Sequence, residues 1–282
     1  MHIGDLQLTT ISGGRYRIDG GTMFGIIPKA LWDRVFPCDE NNNILQNTNC
    51  ALVRGHGRTV LIDTGYGPKL SEKQRRIFHA ETGDPLLENL ARHGVAADDV
   101  DTVILSHLHF DHAGGATRPS PDGSLVPTFP RAEIVVQRGE WETATDPGPA
   151  LRNAYPQENI RPLAAHAKLR LVEGDVEIVP GIRALVTGGH TPWHQALVIE
   201  SRGETAVYLG DLCATTRHMP MLWGMAYDVH PLVVRAKKPE LLGRIADAGW
   251  LALFDHDPEH AAARLRRDER REFAIDEGFA TL

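Results

Sequence analysis

A chain of 282 residues with 42% hydrophobic and 24% charged residues has the composition of an ordinary globular protein with ample core. Its net charge of −7 argues against nucleic-acid binding as the main task, and no apolar run approaches a membrane span. The start Met1-His2-Ile3-Gly4-Asp5 lacks the basic head and apolar core of a signal peptide, and Cys38, Cys50 and Cys213 read as widely spaced free thiols, so a reducing cytoplasm is the expected location.

Ile3 to Ile11 reads as a first strand. Gly13 to Asn49, rich in Gly, Pro and Asn, reads as an inserted loop segment of a single domain spanning 1–282, with a short helical piece at Lys29-Ala30-Leu31-Trp32. A connection this long is a functional or interface segment, which admits a homodimer. Its large apolar groups Met23, Phe24, Trp32 and Phe36 either cap the core or line a pocket. Asn49–Val53 and Arg58–Ile62 form a hairpin around Gly55-His56-Gly57 that ends at Asp63, a carboxylate after a buried strand that needs a partner. Asp84-Pro85, Leu86, Leu87, Leu90 and Gly94 mark a capped helix.

The apolar run Thr102-Val103-Ile104-Leu105 then leads into Ser106-His107-Leu108-His109-Phe110-Asp111-His112-Ala113-Gly114-Gly115. On an extended strand end, residues two apart point the same way, so His107 and His109 suit one ion. After the chain turns, Asp111 and His112 suit a second. Imidazole and carboxylate together favour zinc, iron, manganese or cobalt over calcium or magnesium.

Glu133 to Gln137 is a strand, a helix begins near Gly139, and 146–162 reads as loop. Val176–Val179 and Ile182–Val186 flank Pro180-Gly181, and the second of these runs into Gly188-Gly189-His190-Thr191-Pro192-Trp193-His194. Ala196–Ile199 and Thr205–Leu209 form a hairpin ending in Gly210-Asp211-Leu212. Asp211 has two oxygens, enough to span two ions roughly 3.5–4 Å apart. The loop from 215 to 231 carries Met221, Leu222, Trp223, Met225 and Tyr227, an adaptable pocket wall or a buried loop. Pro239 to Ala248 is a helix closed by Gly249, and Trp250 to Phe254 is expected to be the last strand, ending in Asp255-His256-Asp257-Pro258. Pro258 is expected to open a terminal helix whose arginines at 264, 266, 267, 270 and 271 form a solvated face.

The cluster resembles the His-x-His-x-Asp-His motif of the metallo-β-lactamase-fold hydrolases, and nearly the whole chain follows that pattern. The resemblance implies a four-layer αββα sandwich of the mixed α/β (α+β) class. It implies that His107, His109 and His190 hold a first metal, that Asp111, His112 and His256 hold a second, and that Asp211 bridges them. Asp63 matches a group beside the metals, and His194 reads as a supporting rather than a ligating histidine. The implied cofactors are two divalent metal ions, zinc first, with iron, manganese or cobalt as alternatives. The implied chemistry is attack by a bridging hydroxide, with Asp111 and Asp211 as the catalytic carboxylates.

The layout is most similar to the N-acyl homoserine lactonases and the related organophosphate hydrolases. Those lactonases carry a tyrosine three residues after the bridging aspartate; here that position is Ala214, and Tyr227, Thr215 or His218 are the candidate substitutes. Met23, Phe24, Trp32, Trp223 and Tyr227 are the candidate pocket residues. Their apolar character favours a small neutral lactone or ester as partner, with no nucleic acid and no membrane. Phosphotriester hydrolysis and, further off, iron-dependent oxygen or sulfur redox chemistry are the alternative readings.

Overall fold

The computed structural model describes residues Met1–Leu282. Two seven-stranded sheets run through the chain in sequence order. The first takes His2–Ile3, Leu6–Asp19, Asn43–Gly55, Arg58–Ile62, Thr102–Ile104, Glu133–Gln137 and Leu169–Val172. The second takes Glu177–Val179, Ile182–Val186, Gln195–Ser201, Glu204–Tyr208, Leu251–Leu253, Ala262–Asp268 and Glu272–Phe279.

The period-two pattern of these strands builds the layers. Val60, Ile62 and Ile104 of the first sheet pack against Leu197, Tyr208 and Leu253 of the second in a shared inner core. The alternate residues Leu61, Val103 and Ile134 face outward, onto Leu86 and Leu90 of helix Pro85–Arg92 and Ile160 and Leu163 of helix Gln157–Ala164. Val198, Val207 and Ala252 face outward from the second sheet onto Leu241, Leu242 and Ile245 of helix Pro231–Ala248. Helices therefore cover both outer faces, giving the expected αββα sandwich. No helix is long and apolar enough to cross a membrane.

Four elements differ from the sequence reading. The segment from 13 to 49 is sheet at both ends: Leu6–Asp19 and Asn43–Gly55 pair from Gln7↔Arg54 to Asp19↔Asn43, with an irregularity between Ser12 and Arg15 at the glycine pair that reads as loop. Only residues 20–42 leave the sheet. The stretch from 146 to 162 contains most of helix Gln157–Ala164, with Pro162 inside it. The helix ending at Ala248 starts at Pro231, well before Pro239. The tail after His256 is a hairpin, not a helix: Ala263 and Leu265 are buried while the alternating Arg264 and Arg266 are not, and Leu253↔Ala262 pairing extends the sheet. That alternation is a strand signal masked by the arginine run.

Candidate metal centre

Every candidate ligand sits where a strand of one of the two sheets ends, and the strand ends meet along one edge of the sandwich. After Thr102–Ile104 the chain continues to Ser106 and His107, then turns at His109 into the helical turn Phe110–Ala113. The two following glycines are required by close approach. A Cβ at Gly114 would run into the Tyr66 carbonyl oxygen and one at Gly115 into the Thr64 carbonyl oxygen; likewise one at Gly210, before Asp211, would lie 2.5 Å from His194 Nε2.

Two groups of buried donors converge: His107, His109, His190 and Asp211, and His112, Asp211, Asp255 and His256. Asp211 belongs to both. Its Oδ2 lies 2.9 Å from His190 Nε2 and 3.6 Å from His107 Nε2, while Oδ1 lies 3.3 Å from His256 Nε2. Donors about 2.1 Å from a tetrahedral ion stand about 3.4 Å apart, so these separations match the edges of a coordination shell.

The ring nitrogens pointing away from the centre are engaged. His112 Nδ1 is 2.8 Å from Asp63 Oδ2, His190 Nδ1 is 2.9 Å from Asp228 Oδ1, and His256 Nδ1 is 2.7 Å from the Asn47 carbonyl oxygen. These acceptors fix the proton on Nδ1 and turn each Nε2 lone pair inward. Inside, His190 Nε2 stands 3.0 Å from His109 Nδ1, and His256 Nε2 stands 3.2 Å from His112 Nε2. Such facing lone pairs call for a cation. His107 Nε2, Asp211 Oδ1 and both Asp255 oxygens are buried without any hydrogen-bond partner. The residues present therefore fit two metal ions.

The electrostatics agree. Burial opposes charge on His190 and His256, yet the neighbouring carboxylates outweigh it, raising them to about 10 and about 9. Burial and the surrounding imidazoles push His107 and His109 well down, so both are neutral and free to ligate. The carboxylates thus demand positive charge, which bound cations would supply.

Asp111 lies at the margin of the second group. Its Oδ2 accepts the Tyr16 hydroxyl at 2.6 Å and lies 3.5 Å from His256 Nε2, while Oδ1 is 3.8 Å from His112 Nε2. Asp63 stands beside the centre and touches it through His112. His194 does not face it: Nδ1 meets Thr187 Oγ1 at 2.7 Å, and Nε2 accepts the Asp211 N–H at 3.0 Å. It anchors the backbone that carries Asp211.

The pocket candidates divide. Met23, Phe24 and Trp32 are fully buried in a cluster with Phe36, Ile44 and Ala214, so they are the core of residues 20–42 and not an open wall. The stacked Phe24 and Trp32 rings show why: apolar groups this large bury each other. Trp223 lines a cavity of about 410 Å³ with Met219 and Phe273 that contains no candidate ligand. Tyr227, 38% exposed, stands edge-on to His190 at 5.7 Å and is the pocket candidate that borders the centre. Thr215 and His218 bond each other in the interior, with His218 donating to the Met23 carbonyl, so neither hydroxyl nor ring is free.

Sequence reasoning missed Tyr16, Asp228, Glu140 and Asp255. Glu140 accepts the Leu108 N–H, the Tyr155 hydroxyl and the Thr191 hydroxyl, which ties the first histidine loop to the His190 loop. Only Asp255 carried a readable signal, as an acid at a strand end beside a histidine.

Residues 44–254 match the model of the metallo-beta-lactamase superfamily. An N-acyl homoserine lactonase of Bacillus thuringiensis is 34% identical over 171 residues, 57% of this chain, and the match spans 61% of the length of that relative. A solved structure of a probable metal-dependent hydrolase from Staphylococcus aureus superposes with a TM-score of 0.90 at 33% identity, covering 99% of this chain and 100% of the other. A solved N-acyl homoserine lactone hydrolase with N-hexanoyl-L-homoserine bound at its catalytic metal centre gives 0.69 at 26% identity, covering 91% and 94%. The histidine motif, the two-sheet sandwich and the matched span agree: the chain belongs to the metallo-β-lactamase superfamily.

Proposed function

We propose that this chain is a dinuclear metal-dependent hydrolase acting on small neutral lactones or carboxylic esters. The observation that carries the reading is the sharing of Asp211 between two convergent ligand groups. In that reading His107, His109 and His190 hold one ion, His112, His256 and Asp111 contribute to the other, and Asp211 joins them. The three-imidazole first set suits zinc. Metal held by these residues would supply an ionisable water near neutral pH and polarisation of a substrate carbonyl.

The chain's own residues do the rest. Asp111 Oδ2 is held by the Tyr16 phenol, which leaves Oδ1 to take the proton of the attacking water and pass it to the leaving oxygen. His109 and Asp111 are the most exposed of the seven predicted ligands, at 9% and 8%, so substrate approaches over them. The neighbouring surface is aromatic. Phe110 stacks on Phe78 at 5.3 Å, both edge-on to Tyr16, and Tyr227 borders the other side. An apolar rim gains about 25 cal/mol per Å² of apolar substrate surface buried, which favours an acyl or aryl arm over a small anion. Tyr227, whose hydroxyl donates to Met23 Sδ at 2.7 Å and would turn from it to reach substrate, is the phenol we assign to the carbonyl-binding task left open by Ala214. The lactonase relatives support the substrate class.

The test is metal analysis of protein prepared without chelator, with turnover of acyl lactones, aryl esters, aryl phosphotriesters and a glutathione thioester. The reading expects two ions per chain and lactone or ester turnover. Turnover of the phosphotriester alone would move the substrate assignment, and failure to bind metal would remove the reading.

A further inference from the structure

Asp255 is unlike the other acids of the centre. It is 1% exposed, and neither carboxylate oxygen has a hydrogen-bond partner. Asp63, Asp111 and Asp228, by contrast, each accept at least one good hydrogen bond. The cost of burying an unpaired carboxylate is large, so it persists only where something else neutralises it.

The carboxylate cannot swing away to find water. Asn49 N–H donates to the Asp255 carbonyl at 2.6 Å, and the Asn49 side-chain amide donates to the Phe254 and Asp257 carbonyls at 2.9 and 2.8 Å. Asp257 is itself locked by the Thr216 N–H and hydroxyl. Residues 254–257 are therefore pinned to the Asn43–Gly55 strand and to the loop after Asp211. From that fixed backbone Asp255 Oδ2 points between His112 Nε2 at 3.9 Å and His256 Nε2 at 3.7 Å. These separations are too long for hydrogen bonds and are close to those between ligands of one ion.

We infer that Asp255 is a further direct ligand of the second metal, added to His112, His256, Asp111 and the shared Asp211. This rests on the dinuclear reading above. The consequence is a pair of unequal sites. The first is three imidazoles and one carboxylate; the second gains oxygen donors and negative charge, and is the harder of the two. Manganese or iron(II) therefore competes with zinc better at the second site than at the first.

The experiment is a cobalt(II) titration of the metal-free full-length chain, read as bound equivalents and as visible absorption per equivalent. The proteins compared are wild type, Asp255→Asn and Asp255→Ser. Asparagine keeps the shape and a hydrogen-bond donor but not the anionic oxygen. The expected result is two equivalents in wild type. In both variants the first equivalent is unchanged, while the second is weakened tenfold or more and its absorption band is altered. If Asp255 instead only steadies Asp211 as a neutral carboxyl, Asp255→Asn keeps both equivalents and the wild-type spectrum, which overturns the inference. A wild type that does not take two equivalents overturns the dinuclear reading itself. Metal-free Asp255→Asn should unfold at or above the wild-type temperature, because it removes an unpaired buried acid; this separates lost affinity from lost fold.

Discussion

Asp63 Oδ2 lies 2.8 Å from His112 Nδ1, and Asp63 does this from a left-handed backbone with φ 58°. Such a conformation costs about 1 kcal/mol or more in a residue with a Cβ and is kept only where the surroundings enforce it. Here they do. The Ser106 N–H and hydroxyl each donate to Asp63 at 2.7 Å, and the Tyr208 hydroxyl donates at 3.0 Å. Asp63→Asn tolerates the backbone but loses the charge. We expect it to fold, to keep the first ion, and to bind the second 10–100-fold more weakly by chelator competition. Unchanged affinity at both sites would show that His112 needs no such support.

Glu140 supports the other half of the centre. It is wholly buried and holds three donors from three parts of the chain. Glu140→Ala strands them at about 1–3 kcal/mol each, so denaturant unfolding should show a loss of about 3 kcal/mol or more. The same variant should lower first-site occupancy, because Leu108 and Thr191 flank His107, His109 and His190. A variant as stable as wild type would contradict this.

A pH-dependent term should come from His218, which is not among the predicted ligands. Burial pushes its pKa down from 6.5 to about 4, only partly offset by its bond to the Met23 carbonyl. The unfolded chain then takes up a proton that the folded chain refuses. The stabilisation is present above pH 6.5 and is lost as pH falls through 6.5 towards 4, to about 3 kcal/mol. His218→Gln removes that slope. Unfolding free energies of the two metal-free proteins, measured from pH 7 to 4, should converge by roughly this amount relative to their difference at pH 7; a constant difference would contradict it.

Cys213 lies two residues beyond Asp211 but is turned inward, its thiol 3.6 Å from the Thr215 carbonyl and pushed up to about 12 by burial. It holds no thiolate at neutral pH. Cys213→Ser should keep full metal content and most activity. A loss comparable to that of His109→Ala would place the thiol among the ligands.

The candidate ligands were legible in the sequence because each one follows an apolar run, and a strand end is a place that pattern alone can locate. The sandwich was legible for the same reason, through alternation such as Leu61 out and Ile62 in. What supports the ligands was not. Tyr16, Asp228 and Glu140 reach the centre through tertiary contacts made by segments remote in sequence, and no local pattern marks them. The tail was misread because Pro258 and a run of arginines imitate a helix, while the burial of alternate residues Ala263 and Leu265 needs the neighbouring helix to be seen. Residues 13–49 were misread because Gly13-Gly14 looks like a break, although the strands pair again on both sides of it.

The central claim is that one carboxylate serves both ions. Equilibrium metal analysis of Asp211→Asn against wild type, after reconstitution with zinc and removal of free metal, tests it most directly. Wild type should hold two ions per chain, and Asp211→Asn should hold fewer than one, with activity falling in step. Two ions and full activity in Asp211→Asn would contradict the account.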